Sequence, residues 1–180
     1  VYFFGSIFFT IGSYLQYIET INRNDSIHIE HICFFRFLPH STSYISSTSQ
    51  LFGAIFFNFN TWFGMEKFSN VYSENVYIWS PDFFGSLFFM VSAIFLILES
   101  YHSKIKIGPS YLPWWIIWIN FWGCTMFLFS SIFSIYIPMP TSFDQVETFL
   151  ASITLLSGSL LFLLSSYLLC VELNEQSIQL

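Results

Sequence analysis

Three glutamates, Glu19, Glu99 and Glu172, each close an apolar run of the chain. Carboxylates gathered at one depth of a membrane repel each other, which favours a shared cation or proton. The reading adopted is plainer: helix-end residues in the solvated boundary zone. His28, Glu30, His31, Cys33 and His40 share one connecting segment. His28-x-x-His31 has the spacing of half a zinc site, but no second ligand pair stands at standard spacing. No metal or other cofactor is therefore expected, and an intramembrane metalloenzyme ranks third among the function classes. Asn58, Asn60 and Asn120 fall inside apolar runs. Such amides either join helices, at about 0.6–2 kcal/mol each, or line a solute path. No Ser–His–Asp grouping, phosphate loop or dinucleotide fingerprint is visible, so no enzyme activity is expected.

The elements that position these residues follow from composition. Hydrophobic residues make up 54% of the chain and charged residues 9%, against about 25% charged in soluble domains. Too few charges exist to coat a water-facing surface, so the outer solvent is lipid and the chain is an integral membrane protein. A net charge of −6 offers no footprint for nucleic acid. Cys33, Cys124 and Cys170 have neither disulfide-framework nor metal spacing and are expected as unpaired thiols.

A helix needs about 20 largely apolar residues to cross a bilayer. Five runs qualify, at about 1–18, 45–65, 80–98, 114–137 and 148–171. Run 1–18 is read as a transmembrane helix and not as a signal peptide, because no small-residue cleavage site follows it. Pro81, Pro113, Pro138 and Pro140 are placed at helix ends. Residues 32–38 are too short to cross and are expected at the interface. Following the chain, Arg23, Arg36, Lys104 and Lys106 fall on one side and Lys67 on the other. The positive-inside rule then places the C-terminus in the cytoplasm.

One pattern recurs in every run. Gly5, Gly53, Gly85, Gly123 and Gly158 are each followed by a small residue and, four positions on, by Phe9, Phe57, Phe89, Phe127 and Phe162. Seven residues after each glycine a second small or polar pair begins: Gly12-Ser13, Asn60-Thr61, Ser92-Ala93, Ser130-Ser131 and Ser165-Ser166. Seven residues is nearly two helical turns, so the pairs stack on one face. Helices in lipid gain little from the hydrophobic effect, and small residues let their backbones approach. The five glycines are therefore expected to form a packing seam with left-handed crossings. Fourteen residues after Gly5, Gly85 and Gly158 the same face carries the three glutamates, about 21 Å along the helix.

Phe4-Gly5-Ser6 with Phe9 and Glu19, then Phe52-Gly53-Ala54, then Phe84-Gly85-Ser86 running to Glu99, resembles the YrhK-like family of small membrane proteins. The resemblance covers most of the apolar portion as about two and a half hairpins. It implies a multi-pass membrane protein of uncharacterised activity, with no catalytic residues to carry over.

The sequence thus sets the fold class as an all-α membrane protein. A single domain over residues 1–180 would be a bundle of about five transmembrane helices, repeated and packed through small-residue heptads. The leading function is a structural or interaction role in the lipid bilayer, as a homo-oligomer or with a membrane-protein partner. The alternative is a small solute or ion carrier or channel using Glu19, Glu99 and Glu172 at the cytoplasmic boundary, with Asn58 and Asn60 as binding residues.

Overall fold

The computed structural model describes residues 2–23, 32–102, 108, 111–135 and 141–178. They form α1 (Tyr2–Asn22), α2 (Thr42–Phe63), a short α3 (Val71–Glu74), a π-helical segment (Asn75–Trp79), α4 (Ser80–His102), α5 (Leu112–Ser134) and α6 (Thr141–Ile178). No strand occurs among the described residues. The histidine pair His28 and His31, with Glu30, lies outside them, as do Lys104, Lys106, Pro138 and Pro140.

Three helices are long and apolar enough to cross a membrane: Val71–His102, Leu112–Ser134 and Val146–Glu172. The other two long helices have 21 and 22 residues, about 32 Å of rise each. They carry more polar groups, in α2 the run 46–50 together with Asn58 and Asn60.

Several helix bounds differ from the sequence expectation, each for a local reason. The run expected to start at residue 80 begins at Val71 and continues unbroken to His102, so Pro81 sits inside a helix and not at its end. Proline lacks an N–H, and its ring crowds the carbonyl four residues back. The turn just before it is widened to π geometry, and the Ser80 N–H reaches back five residues to the Asn75 carbonyl. Asn70 starts the helix by accepting the Tyr72 N–H on its side chain at 3.1 Å. Ser41 caps α2 in the same way, accepting from Tyr44, an exchange that satisfies an otherwise orphaned donor. Pro113 lies in the first turn of α5, where its missing N–H costs nothing. That helix stops at Ser134 because Ile135 turns extended. α6 has 38 residues, about 57 Å of rise, far more than the run expected over 148–171. α1 runs on to Asn22, so Glu19 stands in its last turn.

The chain divides into two compact units, Val1–Phe95 and Leu96–Leu180. In the first unit α2 lies between α1 and α4. In the second, α5 and α6 pack along their length. Trp114, Trp115 and Trp118 cluster at the start of α5, with ring centroids 4.9 and 5.9 Å apart. Tryptophans gathered at a helix end are the mark of a membrane–water boundary.

Candidate functional site

Gly53, Gly85, Gly123 and Gly158 are buried where two helix backbones cross, and little that is larger fits there. A methyl group on Gly85 would lie 3.2 Å from the Gly53 carbonyl oxygen, 3.4 Å from Phe56 Cβ and 3.5 Å from the Phe57 nitrogen. A methyl group on Gly53 would meet the Phe89 ring at 2.6 Å and the Gly85 carbonyl at 3.0 Å. The second unit repeats the arrangement. A methyl group on Gly158 would lie 3.2 Å from the Gly123 carbonyl and 3.2 Å from the Phe127 ring, and one on Gly123 3.0 Å from the Phe162 ring. In the second unit the phenylalanine four residues beyond each glycine closes over its partner; in the first, Phe89 closes over Gly53 while Gly85 faces backbone and the Phe56 Cβ.

Serines seven residues from these glycines complete the crossings. In the second unit Ser130 donates to the Ala151 carbonyl at 2.9 Å, and Ser165 donates to the Ile116 carbonyl at 3.2 Å. Ala151 and Ile116 stand seven residues before Gly158 and Gly123, so the two bonds are reciprocal. In the first unit Ser46 donates to the Ser92 carbonyl at 2.9 Å, and their hydroxyls are 3.2 Å apart. Replacing Ser130 or Ser165 by alanine should cost about 0.6 kcal/mol each, the average for an interhelical side-chain bond in membranes. Denaturation of the variants in mixed micelles measures this, and the two losses should add.

Gly5 departs from the expected seam. It is exposed, and neither Gly5 nor Gly12 has an atom within 4 Å of where a side chain would begin. Their successors Ser6 and Ser13 are buried in their place. The reason is which member of each pair turns inward. Consecutive helical residues point about 100° apart, so a small pair can admit two partners. α2 uses both members: Gly53 faces Gly85, while the Ala54 carbonyl accepts from Thr10 at 3.4 Å. α1 uses only Ser6 and Ser13. In α6 Gly158 faces α5 and Ser159 is exposed.

Asn58 donates to the Thr10 hydroxyl at 2.7 Å, joining α2 to α1, and its carbonyl oxygen has no hydrogen-bond partner among the described residues. The hydroxyls of Ser6 and Thr61 meet at 2.9 Å on the same interface. Asn60, two residues on and across the helix, hydrogen-bonds the carboxylate of Asp82 on α4. Here the first crossing differs from the second. The residue seven before Gly85 is Ile78, inside the π segment, and Asp82 takes up the polar partner instead. Reasoning from sequence passed over Asp82 because the helix was expected to begin beside it. The available signal was Pro81-Asp82, a proline and a carboxylate adjacent in an otherwise apolar run.

The glutamates divide between the units. Glu19 is exposed in the first, and Glu99 and Glu172 are half-buried in the second. Among the described residues no group of three or more His, Cys, Asp or Glu is placed to hold a metal ion. Within the second unit Ile97, Ser100, Tyr101, Trp114, Ile117 and Trp118 line a hollow of about 10 Å³. Small-molecule sites usually need about 300–1,000 Å³, so this hollow is a gap in the aromatic cluster. Comparison with protein families, with curated proteins and with solved structures finds no match for the chain.

Proposed function

We propose that this chain is a multi-pass membrane protein with a structural or interaction role, built from five spans that repeat one glycine-centred helix unit. The carrying observation is the backbone crossing repeated in both units: Gly53 against Gly85, covered by the Phe89 ring, and Gly123 against Gly158, covered by the Phe162 and Phe127 rings. A seam closed by backbone contact supports a packing role for the repeated motif. On this reading α1 and α2 cross the bilayer with α4, α5 and α6, and their polar residues bond to one another within unit one instead of facing lipid. The C-terminus is cytoplasmic, from the distribution of Lys and Arg. Membership of the YrhK-like family, suggested by the Phe-Gly-small motif, belongs to the same proposal. Assembly with a second copy or another membrane protein would use the unpaired helix faces, and no chemical step is assigned to any residue.

The glutamates supply the test. As helix-boundary residues, Glu19, Glu99 and Glu172 should each tolerate glutamine with a stability change no larger than about 0.5 kcal/mol. Double variants should add. Thermal denaturation in detergent of the three single and three double variants measures this. Coupling between any two would overturn the structural reading in favour of a shared ion site.

A further inference from the structure

Residues 32–40 join α1 to α2 without regular structure, yet α1 side chains anchor their backbone at two points. The Asn22 amide donates to the Cys33 carbonyl at 2.9 Å and accepts the Cys33 N–H at 2.9 Å. The Tyr17 hydroxyl donates to the Arg36 carbonyl at 3.0 Å and accepts the Arg36 N–H at 3.3 Å. The Arg36 guanidinium, at 3.4 Å, donates to the Ile21 carbonyl in the last turn of α1. Leu38 packs on the buried cluster of Tyr17, Ile21 and Tyr44. Cys33 is thus level with Asn22, and Arg36 with Tyr17. The chain has turned back along α1 by five helical residues, about 7.5 Å.

Along this return the phenyl rings point away from the protein. Phe34, Phe35 and Phe37 are 63%, 89% and 78% exposed, although Phe35 touches Tyr17 and Phe37 touches Tyr44 at one edge. An anchored backbone that holds three adjacent rings outward marks a contact surface. Two observations say what covers it. Irregular backbone near lipid must have its N–H and C=O groups satisfied, and Tyr17 and Asn22 do this for Cys33 and Arg36. The 7.5 Å return also matches the roughly 5–10 Å by which interfacial apolar faces enter a leaflet.

We propose that residues 32–38 form a re-entrant wedge whose Phe34, Phe35 and Phe37 rings insert among the lipids of the leaflet at the C-terminal end of α1. The occupant of this surface is lipid, held at the boundary between headgroups and acyl chains. The inference rests on the reading that α1 and α2 cross the bilayer, and the test separates the two. Cys33, Cys124 and Cys170 are changed to serine. Serine or alanine follows the glycine in the other four repeats, so Cys124→Ser is a conservative choice, and retained helical circular dichroism and monodisperse elution check the fold. Single cysteines are then introduced as Phe35→Cys, Ile55→Cys in mid-α2 and Glu66→Cys in the exposed segment after it. Each is spin-labelled and reconstituted into phosphatidylcholine vesicles.

Labels at 35 and 55 should collide several-fold more with oxygen than with an aqueous nickel chelate, and the label at 66 should show the reverse. Adding Tyr17→Phe, which removes the anchoring hydroxyl, should move the label at 35 toward the aqueous value and leave 55 unchanged. A water-like label at 35 with a lipid-like label at 55 overturns the wedge and leaves the spans intact. So does a label at 35 shielded from both reagents, which would mean that protein covers the surface. An unmoved label at 35 in the Tyr17→Phe protein overturns the anchoring. A water-like label at 55 overturns the spanning reading itself, and the wedge with it.

Discussion

Leucine at Gly85 or Gly158 should destabilise the protein by about 1–3 kcal/mol or more, whereas leucine at Gly5 should leave stability unchanged or raise it by up to about 1 kcal/mol. At Gly85 the obstacles are the Gly53 carbonyl, the Phe57 nitrogen and a Cβ atom. None can rotate out of the way, so α2 and α4 must separate. Gly158 meets the Gly123 carbonyl, Phe127 and Met126 Cβ at 3.2–3.3 Å, and the consequence is the same for α5 and α6. Separation loses the dispersion contacts of the crossing, and with them the serine bonds seven residues away. Gly5 meets nothing within 4 Å, so a side chain there changes only helix propensity and the exposed surface. Alanine gives a graded version. Gly85→Ala needs a shift of a few tenths of an ångström and should cost less than leucine, though more than Gly5→Ala. Denaturation of detergent-purified variants measures the series. Equal losses at Gly5 and Gly85 would mean that the crossing is not where stability resides.

Phe89→Ala should be the most damaging single truncation in the first unit, at about 3–5 kcal/mol by comparison with buried phenylalanines elsewhere. Phe89 is 6% exposed. Its ring covers Gly53 and meets Phe9 edge-on at 5.5 Å, so it ties α4 to both α2 and α1. Phe162, its counterpart over Gly123, is only half-buried, and Phe162→Ala should cost less. The same ring predicts a compensating pair. A methyl group at Gly53 would sit 2.6 Å from the Phe89 ring, and a ring tip is a softer obstacle than backbone. Phe89→Leu would clear part of that space. Gly53→Ala combined with Phe89→Leu should therefore lose less stability than the sum of the two single variants, a coupling readable in a double-mutant cycle. Gly85→Ala combined with Phe89→Leu should show no such relief, because the atoms facing Gly85 are mainly backbone.

Much of this protein is written in local periodicity, which a helix converts to geometry without help from the rest of the chain. A small residue every seven positions falls on one face whatever surrounds it, so the burial of Ser86, Ser92, Cys124, Ser130 and Ser165 is readable from spacing. The shortage of charge likewise implies helices suited to lipid, since a charged residue is costly to place there wherever the chain goes. Spacing does not say which neighbour a face meets. Gly5 and Gly53 stand in the same motif, yet one is exposed and the other lies against a second glycine on α4, a difference set by which residue of the pair each helix turns inward. The start of α4 was hidden for a related reason. Pro81 signals a break when read alone, but a widened turn upstream absorbs its missing N–H and carries the helix back to Val71. That extension sets Asp82 beside Asn60, a pairing between residues 22 positions apart that no local pattern encodes. In the sequence, residues 32–38 read as an apolar segment too short to cross and expected at the interface. Its direction, back along α1 with the rings outward, was decided by Tyr17 and Asn22, whose hydrogen bonds form only once the chain has folded back on itself.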